Sequence, residues 1–183
     1  FLLTLKQKMN LKKYIRSIQD YPKKGILFRD ITTLIKDKDA FKESIDQMSK
    51  IISSLKCDKI AGIESRGFIF SSPLSYNLLK PNILMRKKNK LPAGKFSVDF
   101  ELEYGKATLE IHKDSINSGE EIIIIDDLIA TGGTAEAAAK LVEKSGGKVS
   151  GFIFAINLFD LNGKKLLEDK GYKAFSLMDF PGH

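Results

Sequence analysis

Ile122-Ile123-Ile124-Ile125-Asp126-Asp127-Leu128-Ile129-Ala130-Thr131-Gly132-Gly133-Thr134 is the most informative run in this chain. Its consecutive isoleucines are β-branched and apolar on every side, as a strand buried on both faces requires, so the spacing predicts a strand over 120–125. Two carboxylates arrive at the C-terminal end of that strand, and a glycine-bearing loop follows. An alanine-rich helix then reads over 134–144 and closes at Gly146-Gly147. A second buried strand follows over 149–156. Upstream, the short apolar runs 59–63 and 82–85 read as further strands with a helix over 67–79 between them. Strand, helix and strand in units of about 30 residues mean parallel βαβ crossovers. The fold class is therefore α/β, a mostly parallel twisted sheet flanked by helices.

Nearer the N-terminus, Phe41, Ile45, Met48, Ile52 and Leu55 lie four, three, four and three residues apart, which places them on one helical face. Leu11, Tyr14, Ile15 and Ile18 also share a helical face, so a helix is expected over 11–18. Asp20-Tyr21-Pro22 should end it, because a proline disfavours the helical conformation in the residue before it. One stretch breaks the pattern. Phe96, Val98, Phe100 and Leu102 alternate with polar residues, Tyr104-Gly105 turns, and Leu109 and Ile111 alternate again. That is an antiparallel hairpin, expected as an excursion from the main sheet.

The chemistry sits in the first stretch. Backbone N–H groups of a glycine loop at a helix N-terminus, with the helix dipole behind them, make an anion site. Ala130, Thr131, Gly132, Gly133 and Thr134 form that loop; the threonines add hydroxyl donors and the glycines let the backbone approach a ligand. No Gly-Lys-Ser/Thr follows the glycines, so this is not a Walker loop, and the spaced glycines of a dinucleotide fingerprint are absent. Asp126 and Asp127 cannot hold a phosphate. They must face hydroxyl donors or a cation, ribose hydroxyls or Mg²⁺. A phosphate cradle beside a diol clamp describes a ribose 5-phosphate site, placed where the sheet ends.

Composition bounds the rest. The chain has 183 residues, of which 43% are hydrophobic and 29% charged, enough apolar residues for a core and against a disordered chain. One cysteine excludes a disulfide framework, and with two histidines it leaves no metal cluster of those ligands. Cys57 reads as a small residue at a helix end, His112 as an ordinary strand position, and His183 carries no assignment. No apolar run approaches the roughly 20 residues that span a bilayer. A soluble, cytoplasmic, single-domain protein over 1–183 is expected, with 1–8 an extension ahead of a start at Met9. Thirty Lys+Arg against 23 Asp+Glu leave a formal charge of +7, which suits an anionic partner, nucleic acid or a phosphorylated small molecule, or a merely solvated basic surface.

Strand, Asp-Asp and Ala-Thr-Gly-Gly-Thr in that order resemble the signature for 5-phosphoribosyl 1-pyrophosphate (PRPP) in the type I phosphoribosyltransferases. Further motifs narrow the likeness to the adenine phosphoribosyltransferase family. They are Tyr21-Pro-Lys-Lys-Gly25-Ile-Leu-Phe28-Arg29-Asp30-Ile31-Thr32, Gly62-Ile-Glu64-Ser65-Arg66-Gly67-Phe68, Arg86-Lys87-Lys88-Asn89-Lys90-Leu91-Pro92, Leu102-Glu103-Tyr104-Gly105 and Phe180-Pro-Gly-His183. They run in the family's order from about Tyr21 onward.

The resemblance implies a type I phosphoribosyltransferase fold that makes AMP and pyrophosphate from adenine and PRPP. It implies a short N-terminal base-binding segment over 10–35 and a hood loop and hairpin over 86–112 that closes over the substrates. Backbone groups near Leu27 and Arg29 would read the adenine edge, with Phe28 packing nearby. A carbonyl accepting from the 6-amino group rejects a 6-oxo purine, a mismatch worth a factor of about 10⁴ or more. Glu64, Ser65 and Arg66, with a non-proline cis peptide that related enzymes often carry, and the basic Arg86, Lys87 and Lys90 would bind pyrophosphate, some of them from the neighbouring subunit of a homodimer. In the hood, Glu103 would exchange a proton with adenine N7, and Tyr104 stands beside it. Asp126 and Asp127 would hold the ribose hydroxyls, directly or through metal-bound water. Mg²⁺ would be carried by substrate oxygens and water, with no direct protein ligand. Neither nucleic acid nor membrane is an expected partner. Two alternatives share the PRPP signature. One is a 6-oxopurine or orotate phosphoribosyltransferase, which should lack the hood and Gly25–Thr32 motifs. The other is a PRPP-sensing regulator that binds nucleic acid, which usually adds a DNA-binding domain where only about 20 residues stand here.

Overall fold

The isoleucine run is the middle of the protein. In the computed structural model, which describes residues 9–102 and 105–183, Ile122 and Ile124 face one layer of core and Ile123 and Ile125 the other, all four fully buried. Successive side chains of a strand point to opposite faces, so an unbroken apolar run needs cover on both.

The elements in chain order are β1 (Arg16–Ile18), β2 (Phe28–Asp30), α1 (Thr32–Ile35), α2 (Lys38–Ser53), β3 (Lys59–Ile63), α3 (Gly67–Leu78), β4 (Asn82–Lys87), β5 (Lys95–Leu102), β6 (Gly105–His112), β7 (Glu121–Ile129), α4 (Gly133–Lys144), β8 (Lys148–Leu158), α5 (Gly163–Asp169) and β9 (Ala174–Phe180). Seven strands make one sheet in the order β5-β6-β4-β3-β7-β8-β9, parallel from β4 to β9. One face carries α2 and α3, where Ile45, Met48, Ile52, Phe70 and Leu74 meet Ile60, Ile123 and Ile153. The other carries α4 and α5, where Leu141, Val142 and Leu167 meet Ile63, Ile124 and Phe152. α2 starts where Asp37 accepts from the N–H groups of Asp39 and Ala40, at 3.1 and 2.9 Å, satisfying two donors that the helix cannot. Among the described residues no helix is long and apolar enough to cross a membrane.

Three expectations need correction. The helix expected over 11–18 is a single 3₁₀ turn, Leu11–Tyr14, followed by β1. Eight residues cannot sustain a helix alone. Leu11 is buried, but Arg16 and Ile18 pair with Asp30 and Phe28 of β2, and this strand pairing replaces the second helical turn. The hairpin is not an excursion. Its strand β6 pairs with β4 through Arg86↔Glu110 and Lys87↔Leu109, so β5 and β6 extend the main sheet as an antiparallel edge. β7 also runs past the isoleucines to Ile129, so the two aspartates lie inside it, with Asp126 opposite Phe154. α5 and β9 lie in a stretch for which the sequence pattern gave no expectation.

The small β1–β2 sheet has its own electrostatic lock. Asp30 accepts from the Thr32 N–H at 2.8 Å, from the Thr32 hydroxyl, and from Arg16, with which it forms an ion pair. These bonds, the Thr32 N–H first, outweigh burial and lower its carboxyl to about 2. A depressed pKa stabilises the fold above the ordinary aspartate value near 4, and the contribution disappears as pH falls from there through about 2. Asp30→Asn is therefore expected to lower the thermal midpoint at pH 7, with the difference from wild type vanishing near pH 2. Melting curves across that range check it.

Candidate active site

Both carboxylates and the glycine loop open into two adjoining cavities at the C-terminal ends of the parallel strands. The larger, about 590 Å³, is lined by the loop residues Ala130–Ala135, by Asp126, Leu128 and Ile129, and by Lys24–Leu27 from the segment before β2. The smaller, about 350 Å³, is lined by Glu64, Ser65, Arg66 and Lys87, by Asp126 and Asp127, and by Phe100 and Ala107–Leu109 of the hairpin. Asp126, Leu128 and Thr134 line both. A ligand with two anionic ends joined by a polyhydroxyl centre has matching groups at each point.

The loop is shaped by Gly132, whose φ of +91° and ψ of −6° lie in the left-handed region, which residues with a side chain rarely adopt. Its carbonyl accepts from Glu136 at 2.9 Å and so starts α4. The N–H groups of that first helical turn have no acceptor within the helix, and the residues that carry them, Gly133, Thr134 and Ala135, line the larger cavity. From below, Gly163 at the start of α5 donates its N–H to the Ala130 carbonyl at 2.9 Å.

Asp126 Oδ1 accepts the Asp127 N–H at 2.9 Å. Asp127 is buried, and its Oδ2 lies 2.9 Å from Arg66 Nε, off the line needed for a hydrogen bond. Burial, and then the charge of Asp127, push the Asp126 carboxyl well above the usual range. Burial raises Asp127 as well, opposed by Arg66. A buried and a half-buried carboxylate side by side, with one guanidinium nitrogen 2.9 Å from the buried one, are short of positive charge and of donors.

Arg66 stands at the N-cap of α3, after a Glu64–Ser65 peptide that is cis, as the resemblance led one to expect. Its guanidinium lies 5.4 Å from the centre of the Phe28 ring, and Tyr21 meets that ring edge-on at 5.1 Å. Glu64 accepts from Arg86 Nε at 3.1 Å and from the Lys87 N–H at 2.8 Å. Burial opposes ionisation of Glu64, but these bonds outweigh it and hold its carboxyl below the usual range.

Of the residues singled out from sequence, Leu27, Asp126 and Ala130–Thr134 line the larger cavity, and Glu64–Arg66, Lys87, Asp126 and Asp127 the smaller. Phe28 contacts the site through Arg66. Arg86 is engaged by Glu64, and Lys90 lines neither cavity. The Arg29 side chain is buried and turned toward Ser17 and Pro181. Glu103 and Tyr104 lie outside the described residues. Cys57 is half-buried against the Lys59 carbonyl, and burial pushes its thiol up to about 11, as suits a structural residue. Sequence reasoning missed Phe154, Leu158 and Leu161, Gly163 beneath the loop, and Gly182 and His183, all but Gly163 lining the larger cavity. Asn162-Gly163 was a readable turn signal. Nothing local marked the others.

A phosphoribosyl transferase domain model matches residues 32–180, and fold and site together define a phosphoribosyltransferase. An adenine phosphoribosyltransferase of Pelagibacter ubique is 69% identical over 175 residues, covering 96% of this chain and all of that one. Among solved structures, the adenine phosphoribosyltransferase of Thermoanaerobacter pseudethanolicus superposes with a TM-score of 0.89 at 49% identity, covering 93% of this chain and 98% of that one. The Saccharomyces cerevisiae enzyme, solved with adenine and an imino-altritol bisphosphate, gives 0.84 at 35% identity, covering 91% and 96%. This chain belongs to the adenine phosphoribosyltransferase family.

Proposed function

We propose that the two cavities divide the family's purine-salvage reaction, adenine and PRPP giving AMP and pyrophosphate, between them. The larger takes adenine and the ribose 5-phosphate, and the smaller takes pyrophosphate. The observation that carries this is the continuity of Asp126 and Asp127 with the Ala130–Thr134 loop across both cavities.

In this reading the 131–134 N–H groups and threonine hydroxyls hold the 5-phosphate. Asp126 and Asp127 orient the ribose hydroxyls, and their charge favours the cation that develops on the ribose ring as the C1′–O bond breaks. Arg66 and Lys87 neutralise the departing pyrophosphate, with Arg86 and Lys90 as supporting charges. Backbone groups around Leu27 and Arg29 read the adenine edge. From the resemblance, Glu103 exchanges the proton at N7 as N9 attacks, beside Tyr104 in the hood that excludes water.

Mg²⁺ fits these residues only as the resemblance implies. No group of three or more Asp, Glu, His or Cys able to hold a metal occurs among the described residues, and among them the buried Asp127 Oδ2 finds no hydrogen-bond donor. Asp126 and Asp127 would face such an ion through water, and it would neutralise pyrophosphate oxygens. Exposed Tyr76 and Leu79 at the end of α3 and Leu84 of β4 support a homodimer built on that face. PRPP and AMP are too highly charged to cross membranes, which supports a cytoplasmic setting.

The test is a side-by-side assay of adenine, hypoxanthine and guanine with PRPP. Adenine should be turned over at least about 10⁴ times more efficiently than either 6-oxo purine. Comparable turnover of hypoxanthine would overturn the adenine assignment and leave a broader purine enzyme.

A further inference from the structure

Arg29 and Asp160 make contacts that the reaction does not use. Arg29 is only 6% exposed, and among the described residues no carboxylate hydrogen-bonds its guanidinium. One nitrogen donates to the Pro181 carbonyl at 2.7 Å, another to the Ser17 hydroxyl, and the plane lies 4.8 Å from the centre of the Phe180 ring. A buried guanidinium is costly to desolvate, and here it fixes a backbone carbonyl in the segment that follows β9. From the other side, Asp160, in the 3₁₀ turn Phe159–Leu161, accepts the Gly182 N–H at 2.6 Å. A Cβ at Gly182 would lie 2.8 Å from Leu161 Cγ and 2.9 Å from Asp160 Oδ1, so the segment lies against this turn as closely as a glycine allows. The result is a strap, 180–183, clamped at Pro181 and at Gly182. Gly182 and His183 of the strap line the larger cavity together with Lys24–Leu27.

We propose that residues 181–183 form a wall of the base subsite and determine which planar heteroaromatic base it accepts, with Arg29 and Asp160 as positioning residues acting through the strap. The inference rests on the reading that adenine occupies the larger cavity beside Leu27. His183 brings an imidazole to that wall, with one donor and one acceptor in its neutral form, and Leu158 and Leu161 supply apolar surface beside it. The side chain of Arg29 thus serves the base without touching it.

The experiment compares Gly182→Ala, Asp160→Ala, Asp160→Asn and a chain ending at Phe180 with wild type, by steady-state kinetics and by calorimetric binding of adenine and AMP. Gly182→Ala crowds the Asp160 and Leu161 side chains that hold the strap, and Asp160→Ala removes its anchor. Both should raise the KM for adenine about tenfold and narrow the preference for adenine over hypoxanthine, as loss of one well-made polar contact does. The KM for PRPP should stay within about twofold. Asp160→Asn keeps an oxygen for the Gly182 N–H and should restore near-normal adenine KM. The chain ending at Phe180 should behave like Gly182→Ala or worse. Unchanged adenine KM and base preference in Gly182→Ala and in the shortened chain would overturn the proposal. So would a PRPP KM that rises as far as the adenine KM, which would mark a structural clamp only. The wild-type assay judges the adenine reading by itself. Were wild type to transfer to no purine, the calorimetric constants would judge the strap alone, and an unchanged Kd in the variants would reject it.

Discussion

Asp127→Asn and Asp126→Asn are each expected to lower turnover by about 10²–10³, the usual loss when one preorganised electrostatic contact with a developing charge is removed. The size follows from where the pair sits. Asp127 is buried and Asp126 faces the cavity, so their field acts in a poorly solvated site, and in solution at the surface the same charges would be worth far less. Stability should move the other way. Burial, and for Asp126 the neighbouring carboxylate, raise both pKa values. A raised folded-state pKa means that ionisation is disfavoured in the native protein. That cost is absent below the ordinary aspartate value near 4 and is fully present above the raised value. At pH 8 either variant should therefore melt higher than wild type, and the advantage should shrink as pH falls toward 4. The amide of Asp126→Asn still offers an oxygen to the Asp127 N–H, so the local backbone need not move. Less active and more stable together identify carboxylates retained for chemistry at the expense of the fold. Near wild-type turnover in both variants would remove the diol clamp.

How much of this was legible beforehand depended on whether a signal was local. The isoleucine run, Asp-Asp and the glycine loop carry the buried strand and the proposed anion cradle and diol clamp within thirteen residues, because each signal belongs to residues adjacent in sequence. The strands read from the short apolar runs 59–63 and 82–85 and the helix read from the spacing of Phe41 to Leu55 are found as Lys59–Ile63, Asn82–Lys87 and Lys38–Ser53. The 11–18 segment has helical spacing and still forms β1, since its partner, β2, lies about a dozen residues away and cannot be seen in a local window. The hairpin's alternation gave its strands but not its neighbour, because the pairing of Arg86 with Glu110 is long-range. Arg29 sits within the base-binding motif, yet its side chain serves Pro181, 152 residues further on. His183 drew no assignment, and it lines the larger cavity next to Pro181 and Gly182, which Arg29 and Asp160 hold from 152 and 22 residues away.

Gly163→Ala is expected to raise the KM for PRPP by about 10², although Gly163 itself contacts no proposed ligand position. A Cβ there would lie 2.3 Å from the Ala130 carbonyl oxygen and 2.7 Å from the Gly132 nitrogen. Both are backbone atoms, so no side chain can swing aside, and either α5 or the phosphate loop must shift. α5 is held by Leu167, fully buried among Val142, Phe152 and Tyr172. The loop has open cavity on its other side and gives way more easily. Gly132 is itself confined: at φ +91° a Cβ on it would lie 3.0 Å from the Gly163 carbonyl. A displaced Ala130–Gly132 carries the 131–134 N–H groups away from the 5-phosphate, and a misplacement of about 1 Å in a positioning element typically costs a factor of about 10². The KM for adenine should change little, since the strap is held by Arg29 and Asp160 and neither of those bonds involves Gly163. The opposite outcome is equally readable. If α5 yields, the thermal midpoint falls while PRPP kinetics stay normal, and Gly163 is then a packing residue with no part in holding the loop. Measuring PRPP KM, adenine KM and melting on one preparation separates the two.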